Sequence, residues 1–162
     1  MDMKQVADLR QRFDRGEATT DDLRELSNTY LADNDLENAY PYLCRLAEVE
    51  TEGCQTSVAA GLVALSLHKE DDAEAHFTRA VNNSPDDYDA NHNLGLLNLL
   101  RGRLDRARAV FEKLASLHPD QPAIFNDLAI VWARIGKPAE VLKSLEKALE
   151  LDPEYDQARQ QA

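Results

Sequence analysis

Three prolines recur along the chain at an interval of 34 residues. Pro85, Pro119 and Pro153 are each followed directly by an acidic residue. Proline cannot donate a backbone hydrogen bond, and it disfavours helix at the residue before it. An acidic residue just behind it suits the N-terminus of a new helix. Each proline is therefore predicted to separate two helices, in a unit that repeats every 34 residues.

Small and large apolar residues keep the same interval. Small residues let two helices approach closely, and large residues fill the space beside them. The recurring series are Gly61, Gly95 and Ala129; Ala39, Ala73 and Ala107; Ala80, Leu114 and Ala148; and the large residues Leu43, Phe77, Phe111 and Leu145. Gly102 and Gly136 also share a place in the unit, and a turn between paired helices needs a residue there that tolerates positive φ.

In these positions the chain resembles the tetratricopeptide repeat proteins, whose unit is a 34-residue antiparallel helix pair. The resemblance covers about 136 of the 162 residues. The fourth unit matches seven of eight signature places, with Val141 as the exception: Phe125, Leu128, Ala129, Trp132, Leu145, Ala148 and Pro153. The first unit carries Thr51 where the family usually has proline.

The resemblance implies an all-α fold, an α-solenoid of four tetratricopeptide helix pairs forming a right-handed superhelix, with an extra N-terminal helix. The expected organisation is an N-terminal capping helix in 1–19, repeats in 20–53, 54–87, 88–121 and 122–155, and a C-terminal tail in 156–162. The paired helices are predicted at 20–33 and 36–50, 54–67 and 71–83, 88–101 and 105–117, and 122–135 and 138–151.

The two ends of the array carry separate predictions. A helix over 3–15, ended by Gly16, places Met3, Val6, Leu9 or Arg10, and Phe13 on one side. This helix is either a cap on the first repeat or a mobile arm that docks elsewhere. At the other end only nine residues follow Pro153, too few to cover the leucines of the last helix. We therefore expect that end to be truncated, or buried in a partner or in a second copy.

Charge narrows the choice of partners. The net charge is −12, which disfavours nucleic acid and anionic membranes. Residues 20–53 hold nine acids against two bases and residues 54–87 six against two, whereas residues 88–121 hold five bases against four acids. The expected partner is therefore a protein or peptide segment, apolar with basic flanks. Neither a membrane span nor a signal peptide is present in the sequence, so the expected location is cytoplasmic.

Sequence patterns that would indicate catalysis, cofactor binding or metal binding are weak. Phosphate loops, nucleophile elbows, zinc-protease motifs and CxxC pairs do not occur, so we expect no enzyme, no cofactor and no metal. His68 and His76 are interpreted as parts of a solvated turn, and Cys44 and Cys54 as reduced structural thiols. The acids Asp71, Asp72, Asp86 and Asp87 are interpreted as helix N-terminal charges. The arginines Arg101, Arg103, Arg106 and Arg108 are interpreted as a solvated turn, and Trp132 as core packing.

The resemblance implies that the first helix of each pair lines a concave, peptide-binding face. Carried onto this sequence, the peptide-binding positions of the family give these candidates: Asn28, Val58, Leu62, Leu65, His92, Leu96, Leu99, Asn126, Ile130 and Arg134. The apolar members are expected to form an exposed stripe that anchors a polypeptide. A carboxylate clamp of the kind that grips chaperone tails is not expected, because Ala59, Asp89 and Asn93 replace its polar and basic residues.

The sequence thus favours a protein–protein interaction scaffold or adaptor that holds a partner segment in an apolar groove. The alternative is a chaperone of a secretion system, similar to the class II chaperones of type III secretion, which generally carry three repeats. An enzyme is the third hypothesis, for which only the polar residues His92 and Asn126 fall near one another in the expected groove.

Overall fold

The computed structural model describes residues 3–154, and every regular element in that range is an α-helix. The helices are α1 (Met3–Asp14), α2 (Thr20–Ala32), α3 (Leu36–Val49), α4 (Gln55–Ser66), α5 (Glu70–Asn83), α6 (Tyr88–Leu100), α7 (Leu104–Leu117), α8 (Pro122–Ile135) and α9 (Pro138–Leu151). The predicted helix ranges differ from these bounds by one residue at most. The predicted tail, 156–162, lies outside the described residues.

One residue in each turn between paired helices has a left-handed backbone. These residues are Asn34 (φ 55°), His68 (φ 58°), Gly102 (φ 69°) and Gly136 (φ 82°), and they share one register position. The two glycines confirm the predicted turn. Asparagine and histidine adopt this conformation more readily than most non-glycine residues, which explains how the first two units keep the same turn. At these two turns no glycine marks the left-handed position in the sequence.

Polar side chains begin several of the helices. Thr19 and Asp22 form a capping box at α2, where each side chain accepts the backbone N–H of the other residue at 3.2 and 3.0 Å. Asp87 begins α6 by accepting the N–H of Ala90 at 2.9 Å. Asp71 and Asp72 lie in the first turn of α5, where carboxylates favour the helix dipole. Local sequence therefore fixes where these helices start.

The helices belong to two compact units, Met1–Pro85 and Asp86–Ala162. In the first unit α1 packs on α2, α2 on α3, α3 on α4 and α4 on α5. In the second unit α6 packs on α7, α7 on α8 and α8 on α9. Glycine allows the closest approach within a pair, since a Cβ at Gly61 would lie 2.4 Å from the ring of Phe77. Gly95 and Phe111 repeat that approach in the second unit.

Helix α1 packs on the first repeat through one side. Leu9 is buried in a cluster with Leu23, Leu26, Tyr42 and Leu46, and Val6 and Phe13 pack against its edge. The Phe13 ring meets the Tyr42 ring edge-on at a centroid distance of 4.8 Å. Met3 does not join this cluster, since it is 89% exposed. It lies at the first residue of α1, beyond the reach of the cluster.

Candidate polypeptide-binding surface

The ten candidate residues divide into exposed and buried groups. The exposed apolar members are Leu62 (45%), Leu96 (37%) and Ile130 (40%). Leu65 is half-buried, and Asn28 and Arg134 are exposed. Leu100, which follows Leu99 on α6 and was not among the candidates, is the most exposed leucine of that helix at 63%.

Val58 and Leu99 are buried, so the expectation that both contribute to an exposed stripe is wrong. Leu99 belongs to the core cluster of the second unit, together with Leu128 and Val131 of α8. Helix α4, which holds Val58, lies between α3 and α5 and buries residues on more than one side. A helix packed between two neighbours buries more than the narrow stripe that its period predicts.

His92 and Asp127 join α6 to α8. His92 Nε2 donates a hydrogen bond to Asp127 Oδ2 at 2.8 Å, and Asp127 is a buried residue. The His92 ring stacks on Tyr88 at 5.3 Å and meets Phe111 edge-on at 5.9 Å. This imidazole therefore has a structural position between packed rings, and its polar partner is Asp127 rather than the neighbouring Asn126.

A second polar contact joins the same two helices near their C-terminal ends. Arg134 Nη1 donates to the backbone carbonyl oxygen of Leu99 at 2.5 Å. That carbonyl belongs to the last turn of α6 and also accepts the backbone N–H of Gly102 at 3.1 Å. Arg134 thus caps α6, and a peptide ligand would have to compete with this contact for the guanidinium group.

Three exposed aliphatic side chains lie on the same two helices, α6 and α8. Leu96 and Leu100 are four residues apart and therefore one turn apart on the same side of α6. Ile130 lies on α8 between Asp127 and Arg134. We call Leu96, Leu100 and Ile130 the α6/α8 patch. It is an apolar surface on two helices that are joined by the His92–Asp127 and Arg134–Leu99 hydrogen bonds.

The first unit presents a smaller apolar surface next to a polar network. Leu62 is exposed on α4. Arg24 of α2 contacts Glu50 at 2.5 Å and Asp21 at 2.7 Å, and Glu50 also accepts a short hydrogen bond from Thr56. The Thr56 hydroxyl and the Arg24 guanidinium hold the pKa of Glu50 below its usual range. Arg24 is therefore engaged by two carboxylates.

His76 is not part of a solvated turn as expected, because it packs against α3. Its Nε2 lies 3.5 Å from both Tyr40 Oη and Cys44 Sγ, and Tyr40 Oη donates to Asp72 Oδ2 at 3.0 Å. Burial lowers the pKa of His76 and raises the pKa values of Cys44 and Tyr40. All three shifts favour the neutral groups, so the cluster joins α3 to α5 without a thiolate.

The arginine-rich turn is also less solvated than expected. The Arg108 guanidinium lies over the Trp132 ring, 5.6 Å from its centroid, and Arg108 Nη2 is 3.5 Å from Asp105. Trp132 is half-buried and packs against the core cluster of the second unit. Arg108 thus covers an aromatic face of α8, a favourable cation–π geometry.

Within residues 3–154 no group of three or more His, Cys, Asp or Glu residues is placed to hold a metal ion. In the same range no helix is both long and apolar enough to cross a lipid bilayer.

Part of the repeat region matches a known family model. Residues 58–122 match the family model described as Tetratricopeptide repeat. The Tetratricopeptide repeat-containing protein trd-1 of Caenorhabditis elegans is 21% identical over 129 residues, which are 80% of this chain. The chain spans only 17% of the length of that curated relative.

Solved structures share the fold. A crystal structure of MamA has a TM-score of 0.79 at 20% identity, covering 94% of this chain and 89% of that one. YrrB, described as a TPR protein with an unusual peptide-binding site, has a TM-score of 0.78 at 19% identity, covering 91% of this chain and 76% of that one. These likenesses confirm the predicted all-α solenoid fold and the resemblance to tetratricopeptide repeats.

Proposed function

We propose that this chain, a tetratricopeptide repeat protein, is a non-catalytic interaction scaffold that binds a segment of another polypeptide. The α6/α8 patch carries the proposal, because its three aliphatic side chains stay exposed on two helices held together by polar contacts. Grouped apolar side chains on the surface of a folded protein usually mark an interaction site. The peptide-binding site named for YrrB supports the same function.

The patch is large enough to anchor a ligand but not to bind it alone. Fully burying one exposed aliphatic side chain contributes about 1.5–3 kcal/mol, and these three are only 37–63% exposed, so together they contribute roughly 2–4 kcal/mol. Association costs at least about 4 kcal/mol in lost translational and rotational freedom. Measurable affinity therefore requires further contacts beyond the patch.

The chemistry of the partner follows from the surface and the charge. Apolar side chains of the partner would fill the patch. The strongly acidic stretch over residues 20–87, with fifteen acids and four bases, favours basic residues flanking that apolar segment. Binding should then weaken as ionic strength rises.

A phage-displayed library of random peptides, selected on the full chain, tests the proposal. The selected peptide is synthesised with a fluorophore, and its dissociation constant is measured by fluorescence anisotropy. Leu96→Lys and Leu100→Lys should each weaken binding at least tenfold, about 1.4 kcal/mol. Leu142→Lys is the matched control, since Leu142 and Leu100 have the same exposed fraction, 63%. Equal affinity for all three variants and the parent chain would refute the proposal.

The buried Leu99 is unsuitable for this test, because a polar residue there would unfold the second unit. The secretion-chaperone alternative stays a prediction. Its test is co-expression with a membrane-inserting secreted substrate, which such a chaperone would keep soluble.

A further inference from the structure

The second unit has another apolar face, formed by α9 and the end of α8. Leu142 is 63% exposed and Leu149 is 40% exposed. Beside them lies an open pocket of about 420 Å³, lined by Ala133, Gly136, Lys137, Pro138, Val141 and Leu142. We call this surface the α9 face. It is separate from the α6/α8 patch, because it uses other residues.

The internal repeat shows what kind of surface this is. Ala133, Pro138 and Val141 hold the register positions of Leu99, Leu104 and Ala107 in the preceding repeat. Those three earlier residues pack in the core cluster with Ile124, Leu128 and Val131, all from α8. The α9 face is therefore the equivalent of a surface that, one repeat earlier, is covered by a helix.

Two further positions of the last repeat support this equivalence. Leu142 holds the register position of Arg108, whose guanidinium lies 5.6 Å from the Trp132 ring centroid on α8. Asn126 holds the register position of His92, which is paired with Asp127 of α8. Asn126 Nδ2 is buried and has no hydrogen-bond partner within the described residues. Both positions thus have the form of contacts whose other half is supplied by an added element.

Charge identifies the occupant. Residues 137–151 contain three lysines and three glutamates and are neutral, in a chain of net charge −12. A second copy meets less repulsion on approaching through this neutral segment than through the acidic first half. The outer side of α1 offers no apolar surface to receive the α9 face, since it is lined by Lys4, Ala7, Asp8, Arg10, Gln11 and Asp14. The α9 face of another copy is therefore the matching surface, as in a two-fold dimer.

The spacing of the leucines suits that symmetry. Leu142 and Leu149 are seven residues apart, which places them two turns apart on one side of α9, about 10 Å along the axis. We propose that two copies of this chain associate through their α9 faces about a two-fold axis, with Leu142 of each copy against Leu149 of the other. The axis then passes near Glu146, midway between the two leucines.

Sedimentation equilibrium of the full chain over a wide concentration range tests the proposal. The parent chain should show a dimer that dissociates on dilution. Leu142→Lys and Leu149→Lys should each weaken dimerisation at least tenfold, about 1.4 kcal/mol. Leu100→Lys, with the same exposed fraction as Leu142, should dimerise like the parent. Far-ultraviolet circular dichroism of each variant checks that its helices remain intact.

Cysteine cross-linking tests the axis itself. Under mild oxidation, Glu146→Cys should give a disulfide between copies. Lys147→Cys is the matched control, because the next residue on a helix points about 100° away. Cross-linking at both positions to the same extent would contradict the proposed geometry.

Other occupants give other results. A parent chain that is monomeric at every concentration overturns the proposal. A dimer that Leu100→Lys dissociates and Leu142→Lys does not overturns it as well. The peptide affinity of Leu142→Lys is a separate readout, so this proposal and the proposed function can fail independently.

Discussion

Gly61→Ala should destabilise the protein, although alanine is the better helix former. A Cβ at Gly61 would lie 2.4, 2.7 and 2.9 Å from Cε1, Cδ1 and Cζ of Phe77. Carbon atoms in favourable contact are about 3.5–4.0 Å apart. Phe77 has no exposed surface, so its ring has no free space into which it could move.

The size of the loss follows from two opposed effects. Overpacking a close-fitted core by one carbon costs about 1–3 kcal/mol. Replacing glycine by alanine inside a helix contributes about 1 kcal/mol in the favourable direction. Given the 2.4 Å approach, we expect a net loss of about 1–2 kcal/mol in the free energy of unfolding. Gly95→Ala should cost less, because its Cβ would lie 2.9 Å or more from Phe111.

The fourth repeat supplies the compensating change, since it carries Ala129 where the second and third repeats have glycine and Leu145 where those two have phenylalanine. In a Phe77→Leu background, Gly61→Ala should therefore be neutral or stabilising. Urea unfolding followed by circular dichroism, on the parent, both single variants and the double variant, measures the coupling, expected at about 1–3 kcal/mol. Gly61→Ala as stable as the parent while Phe77 is present would refute the close-packing argument.

Three further predictions concern turns, caps and pH. His68→Gly should raise the free energy of unfolding by about 0.5–1 kcal/mol in urea titrations. Glycine relieves the strain of a left-handed φ of 58°. The greater conformational freedom of glycine in the unfolded chain offsets part of that gain. Thr19→Ala removes the capping box of α2 and should lower that free energy by about 1 kcal/mol, whereas Thr20→Ala, one residue later, should change it little. Burial holds the pKa of His76 below its unfolded value of 6.5. Below pH 6.5 the unfolded chain therefore binds more protons than the folded chain, and the free energy of unfolding falls. Urea midpoints should drop on acidification, and they should drop less steeply in His76→Gln.

Sequence predicted the helices well because their boundaries depend on local chemistry. Prolines such as Pro119 and capping acids such as Asp87 act within a few residues, and their interval repeats. The turns were predicted only where glycine marks them. His68 adopts the same backbone as Gly102, but a non-glycine residue carries no such mark in a single sequence.

Burial and polar pairing at the candidate surface were harder to predict. The helical period gives the direction of Val58 and Leu99 but not how deeply a neighbouring helix covers them. The His92–Asp127 pair joins residues 35 apart, so it depends on how two helices are aligned. The contacts of His76 with Tyr40 and Cys44 depend in the same way on the packing of α3 against α5.

The central claim is that partner polypeptides bind on the α6/α8 patch, and site-specific photo-crosslinking in cells tests it most directly. A benzophenone amino acid is placed at Leu96 and, as control, at Thr78, an exposed residue of α5. Position 96 should yield a covalent adduct with a partner protein after irradiation, and Ile130→Lys in the same chain should remove that adduct. Adducts of equal yield at positions 96 and 78, or an adduct that survives Ile130→Lys, would contradict binding at this patch.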